Sequence, residues 1–362
     1  MRTLLISFIF LATLPFAGIR AQVNVQNNGI AFVSTASDIF FINGSYTNAS
    51  TAALTNNGSL YIMQDLTNDQ AAMATGTGTL YLNGVIAQTV AGSQMFKTFN
   101  LNTNNGTGIT LNNDLSVSGV HTFTSGLINT SSAPRYLIYQ SGSSYTGDAD
   151  SRHVNGWVKK FGSTAFTFPV GNSSFERTIG ITGLSASSEF NAKYYTTTPN
   201  PTQLQSPLIT LDAAEYWALS KVSGGSASVA MNWDNSKVAF PAWVLSDILT
   251  SNYNGSLWTN QGGSATGNVL TTGAITSNSI ASFNLFTFAS KSFVVPLTLI
   301  RFTAKRVDDY VHIEWQTDNE FNVDHFSIER SNDGVNFISI DQVAARNSGS
   351  MESTTRNLCH IV

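Results

Sequence analysis

The stretch Ser151–Gly171, SRHVNGWVKKFGSTAFTFPVG, separates two halves of different chemistry. Val154–Phe161 is rich in β-formers, and Phe166 and Phe168 alternate with Ala165 and Thr167, so both rings fall on one face of a strand. Gly162-Ser163 between the runs suits a two-residue type II′ turn, which predicts a β-hairpin. Pro169 has no N–H to donate, so it ends the second strand or places it at an edge. Residues before this joint are rich in Asn, Gly and Thr and nearly free of cations. Those after it hold most of the Trp and Glu.

The bounds are set by composition. Hydrophobic residues make up 42% of the 362, enough for two or three domains with real cores and too many for a disordered polymer. Charged residues are 11% and the formal net charge is −4, so nucleic acid is not an expected partner. Met1–Ala21 reads as a secretory signal: Arg2 supplies the positive start, Leu4–Phe16 the apolar core, and cleavage is expected before Gln22. That core is too short for a membrane span, and the apolar run Phe283–Ile300 is interrupted by Lys291 and Pro296. The sequence has one cysteine, Cys359, so no intrachain disulfide can form; a secreted chain of this size without one fits a bacterial exoprotein. The expected location is secreted: periplasmic, outer-membrane surface or extracellular.

In residues 22–140 the triplet Asn-Asn-Gly recurs at Asn27–Gly29, Asn56–Gly58 and Asn104–Gly106. Each is followed by a short alternating run: Ile30–Val33, Ser59–Met63 and Thr107–Leu111. Further short runs lie at Thr79–Leu82, Leu115–Val117 and Thr122–Phe123. Close-spaced strands with Asn and Gly at corners and no helical period predict the stacked coils of a β-solenoid, with Asn ladders at the corners. An ordinary sandwich of hairpins is the alternative architecture. Gly78–Thr130 resembles the β-helix-type repeats of secreted Bacteroidetes surface proteins, through Gln88-Thr89-Val90-Ala91-Gly92, Phe96–Phe99 and Ile109–Gly119. The resemblance implies a stalk or adhesive surface, although β-helices also host polysaccharide-active enzymes.

Residues 141–293 read as a β-sandwich, with strands at Phe190–Thr196, Glu215–Lys221, Ser228–Trp233 and Ser282–Ala289. The resemblance continues here in His153–Gly171, Glu215-Tyr216-Trp217, Trp233, Trp258 and Ser282–Phe288, and it implies a surface-protein module without an assigned activity. Pro296 opens a last unit, 296–350, in which Val311, Ile313 and Trp315 point inward and Ser331–Gly334 forms a hairpin turn. It resembles a fibronectin type III-like module with too few strands to be complete. Residues 351–362 are expected to be irregular, the product of a truncated or frame-shifted gene end, with Cys359 and His360 accidental neighbours. Relatives of this kind usually close with a type IX secretion sorting domain, which is not read here.

Reactive chemistry finds little material. Between Gln22 and Pro134 the sequence holds one cation, Lys97, and four acids, Asp38, Asp65, Asp69 and Asp114. A lyase needs a base and clustered acids for Ca²⁺, and a glycosidase needs two facing carboxylates. Asp65 and Asp69 read as a solvated loop. Asp148, Asp150 and His153 are spaced to meet a cation but read as a polar turn, and Arg177 with Glu176 reads as a structural salt bridge. No catalytic, cofactor or metal residue is assigned. Among the tryptophans, Trp243 and Trp258, beside Pro241 and Gly255, are the candidate carbohydrate contacts, since aromatic faces pack on sugar rings. The expectation is a non-enzymatic structural or adhesive protein whose partner is an extracellular polysaccharide or another surface protein. A carbohydrate-binding module and a β-helix polysaccharide-active enzyme are the alternatives.

Overall fold

The computed structural model describes residues 22–361 apart from 131–132, 198, 200–202, 293–297, 309, 319–323 and 346–353. Met1–Ala21, expected to be a secretory signal, and Pro296 lie outside the described residues. The chain is all-β; among the described residues the helical content is one short 3₁₀ turn, Leu245–Asp247, and no helix is long and apolar enough to cross a membrane. It divides into two units, Met1–Val154 and Asn155–Val362.

The first unit is a β-solenoid of about six turns. One wall stacks Ile39–Ile42, Ser59–Ile62, Thr79–Leu82, Asn100–Asn104, Val120–Ser125 and Ser144–Thr146 in parallel register. A second stacks Val25–Asn27, Tyr46–Asn48, Leu66–Asn68, Gln88–Ala91, Ile109–Leu111 and Ile128–Thr130. A third holds Phe96–Thr98, Leu115–Val117 and Tyr136–Tyr139. The solenoid therefore continues past residue 140, through Thr146. Alternation points every second side chain inward at matching height, so Leu60, Leu80 and Leu101 form one buried column.

Amides carry the corners. Asn27 Nδ2 donates to Asn48 Oδ1 at 3.0 Å, Asn48 Nδ2 to Asn68 Oδ1 at 2.8 Å, and Asn68 Nδ2 to the Met95 carbonyl at 3.0 Å. Coils approach so closely that a Cβ on Gly126, where φ is +79°, would sit 1.7 Å from the Asn105 carbonyl oxygen; a larger residue has no room there.

Two antiparallel sheets begin the second unit. One runs in the order Trp157–Gly162, Ser188–Tyr195, Tyr216–Ser223, Leu285–Ser290, Ile248–Tyr253, Trp258–Asn260. The other runs Phe166–Phe168, Ile179–Thr182, Ser228–Asp234, Thr272–Thr276, Thr266–Gly267. Trp233 of the second meets Phe288 of the first edge-on, with ring centroids 5.9 Å apart, and Phe240 stacks on Trp233 at 4.7 Å while meeting Phe288 edge-on at 5.1 Å. The predicted Gly162-Ser163 hairpin does not form. Trp157–Gly162 and Phe166–Phe168 pair with different strands and lie in different sheets. Crossing between sheets buries Val158 and Phe168 completely, and this long-range burial outweighs the local turn preference.

Farther along, Thr298–Val307, Tyr310–Asp318 and Thr354–Ile361 form one small antiparallel sheet, and His325–Ser331 pairs with Phe337–Ala344. Thr354–Ile361, expected to be irregular, is thus a strand. Its partner Tyr310–Asp318 alternates apolar and polar residues and offers it an open ladder edge. Ile313, Trp315 and Ile328 form the core there, and Trp315 points inward as the alternation predicts.

Candidate functional site

The two candidate tryptophans turn out to be interior. Trp258 is completely buried against Leu208, Leu249 and Ala289. Trp243 is 6% exposed and packs edge-on to Phe240 at 5.5 Å. Neither ring presents a face that a sugar could cover, which corrects the carbohydrate contact assigned to this pair. Trp243 and Trp258 stand close to Pro241 and Gly255 in the chain, but their side chains fold back into the core.

Arg177 does form a structural ion pair, with Glu215 in place of Glu176. Its Nε donates to Glu215 Oε2 at 2.8 Å and its Nη2 bonds to Oε1, with the two side chains 2% and 1% exposed. Nη2 also donates to the Asn232 carbonyl at 3.0 Å. Tyr194 Oη donates to Glu215 Oε2 at 2.8 Å, and Trp217 Nε1 to the Arg177 carbonyl at 2.8 Å. Burial, reinforced by the Glu215 carboxylate, keeps the Tyr194 phenol protonated far above its usual range. A buried pair is tolerable because the guanidinium meets the carboxylate through two prongs, Nε and Nη2, and Nη2 has the Asn232 carbonyl as well. Nearby, Asp212 is 1% exposed; its Oδ1 accepts from the Ala214 N–H at 2.9 Å, Oδ2 has no hydrogen-bond partner, and burial raises its carboxyl to about 7.

Outside this knot lies a cleft of about 450 Å³, lined by Glu176, Asn232, Asp234, Lys237, Thr266 and Thr272 among others. Strand Ser228–Asp234 supplies Asn232 and Asp234 from its non-core face, since Met231 and Trp233 alternate inward. Asp234 Oδ1 accepts from the Ser236 hydroxyl at 2.6 Å and its N–H at 3.0 Å, and the hydroxyl bond first of all holds this carboxyl below its usual range. Lys237 Nζ reaches the Glu176 carbonyl at 3.4 Å. The floor depends on Gly273, where a Cβ would stand 1.9 Å from the Trp233 ring. The sequence does not assemble this cleft; its one local signal is Asn232 on the solvent side of the predicted strand Ser228–Trp233, with Asp234 directly after it.

The other acids singled out are structural. Asp65 Oδ1 accepts from Thr89 N at 2.8 Å and Asp69 Oδ1 from Ser93 N at 2.8 Å, each on the next coil. His153 is buried, and its Nδ1 lies 3.0 Å from the Ala149 carbonyl. Asp150 is exposed and Asp148 half-buried, and among the described residues no group of three or more His, Cys, Asp or Glu is placed to hold a metal ion.

Family models, curated proteins and solved structures were all compared with this chain, and none matches. The chemistry of the surfaces is what bears on function.

Proposed function

We propose that this is a secreted, non-enzymatic protein of the cell surface with a structural or adhesive role. In this reading the solenoid is a stalk, the facing sheets of the second unit are a β-sandwich module, and the last strands belong to a partial fibronectin type III-like module. The motif resemblance to Bacteroidetes surface proteins and the leader-like Met1–Ala21 support export.

One observation carries the proposal. The acids of the solenoid serve its backbone: Asp38 accepts from Thr35 N, Asp65 from Thr89 N, Asp69 from Ser93 N and Asp114 from Tyr136 N, at 2.8 to 2.9 Å. General acid–base work needs carboxyls aimed at a ligand, whereas these are bound to the scaffold they hold. Such a ladder is stiff and repetitive, as a stalk requires.

Beads coated with the protein test the proposal. They are expected to adhere to cells of the producing organism or to hydrated polymer surfaces above albumin-coated controls. Adhesion no greater than the control overturns it, as does release of reducing sugar or unsaturated uronate from pectin, alginate or cellulose.

A further inference from the structure

The outward face of the sheet Phe166–Phe168, Ile179–Thr182, Ser228–Asp234, Thr272–Thr276, Thr266–Gly267 is built of small polar groups. On Thr272–Thr276 the exposed residues are Thr272, Ala274 and Thr276, while Ile275 points into the core. Two clefts open along this hairpin. The first is the 450 Å³ cleft beside Asp234; the second, about 520 Å³, is lined by Gly263, Ser264, Thr276 and Asn278 among others. They share Thr266 and Ala274 as a common wall. Each falls within the range of about 300–1,000 Å³ that small-ligand sites occupy.

We infer that the two clefts form one trough that binds a linear, neutral polysaccharide, with Ala274 at its midpoint. The trough's hydroxyls and amides, from Thr266, Thr272, Thr276, Asn232 and Asn278, both donate and accept, as sugar hydroxyls do. Its ionic groups gather at one end: Glu176, Asp234 and Lys237, beside Arg177, which Glu215 neutralises. No charged residue lines the second cleft among the described residues, so an acidic polymer finds no cationic track along it. A nucleic acid would need several Lys or Arg contacts to phosphate, and a tightly bound protein would need exposed aromatic or Arg anchors at the centre, where this trough has Ala274 and Thr266. Two adjoining clefts, with small side chains between them, suit a ligand that is itself a chain of polar units.

The inference rests on the adhesive reading and names the chemistry one of its faces recognises. Affinity electrophoresis of the full chain in gels of mixed-linkage β-glucan, xyloglucan, galactomannan and alginate tests it, with titration calorimetry on matching oligosaccharides. At least one neutral polymer is expected to retard the wild type more than alginate does. Ala274→Trp, which fills the shared wall from an exposed position, is expected to weaken binding at least about tenfold. Asn232→Ala is expected to weaken it by roughly threefold or more through one lost hydrogen bond, and it decides the matter should Ala274→Trp fail to fold. No retardation by any neutral polymer, retardation by alginate at least as strong, or wild-type affinity in folded Ala274→Trp and Asn232→Ala overturns the inference. Coated beads that adhere while every polysaccharide fails would remove the trough and leave the adhesive reading standing.

Discussion

Arg177 and Glu215, 38 residues apart, meet as a two-pronged ion pair that is almost wholly buried. The pair ties the loop after Gly171 to the start of strand Tyr216–Ser223, and Arg177 Nη2 reaches the Asn232 carbonyl on strand Ser228–Asp234. Removing one partner leaves the other charge in a dry interior. Glu215→Gln is therefore expected to destabilise the second unit by about 3–5 kcal/mol, and Arg177→Lys to cost nearly as much, because an ammonium cannot reproduce the fork. Urea unfolding followed by Trp fluorescence measures both. A loss below about 1 kcal/mol in Glu215→Gln would show that the pair is not what holds these strands.

Asn48 sits at the middle of the amide ladder, accepting from Asn27 and donating to Asn68 and, at 2.7 Å, to Gln70 Oε1. Asn48→Leu keeps the volume and removes every bond, stranding buried amides on either side. The expected loss is about 2–4 kcal/mol in the first unit, read by thermal unfolding followed by circular dichroism.

His121 is fully buried between Thr103 Oγ1 at 3.0 Å and Tyr139 Oη at 2.7 Å, and burial lowers its pKa to about 3 from an ordinary 6.5. Between those values the unfolded chain binds a proton that the native solenoid does not. Stability of the first unit should fall as pH drops from 6.5 towards 3, by up to about 1.4 kcal/mol per pH unit. His121→Gln should flatten that slope in denaturation midpoints taken across the range; an equal slope in the variant counts against the assignment.

Asp212 has the opposite sign. Its carboxyl is raised from 3.8 to about 7, so the native state holds a proton that the unfolded chain has lost, and stability of the second unit declines as pH rises across that window. Asp212→Asn mimics the protonated form. It should be near neutral at pH 4 and stabilising by about 1–3 kcal/mol at pH 8. Calorimetric scans at the two pH values check this, and a variant less stable than wild type at pH 8 refutes it.

Trp258→Ala removes a completely buried indole from the cluster with Leu208, Leu249 and Ala289. The expected cost is about 3–5 kcal/mol from lost burial and the cavity left behind. Polysaccharide binding measured well below the unfolding transition should be unchanged, which separates a core tryptophan from a ligand platform.

Local pattern was enough to read the class of fold. Strands Thr79–Leu82 and Leu115–Val117 follow directly from alternation, and the inward Trp315 follows from the period of two, because a pleated strand forces neighbours to opposite faces whatever it pairs with. Partnership was not legible in this way. Of the ladder Asn27, Asn48, Asn68, one member stands in an Asn-Asn-Gly triplet; the others are ordinary strand residues until the coils stack. Gly162-Ser163 carries the right turn chemistry yet joins two different sheets, and Trp243 and Trp258 sit beside turn residues yet face inward. The trough along Thr266 and Ala274 draws on three separate stretches, around residues 176–178, 232–237 and 263–278. A side chain's periodicity is a property of its own segment, while its partner, its burial and the cleft it lines are set by apolar area gathered from distant segments, which tertiary packing alone brings together.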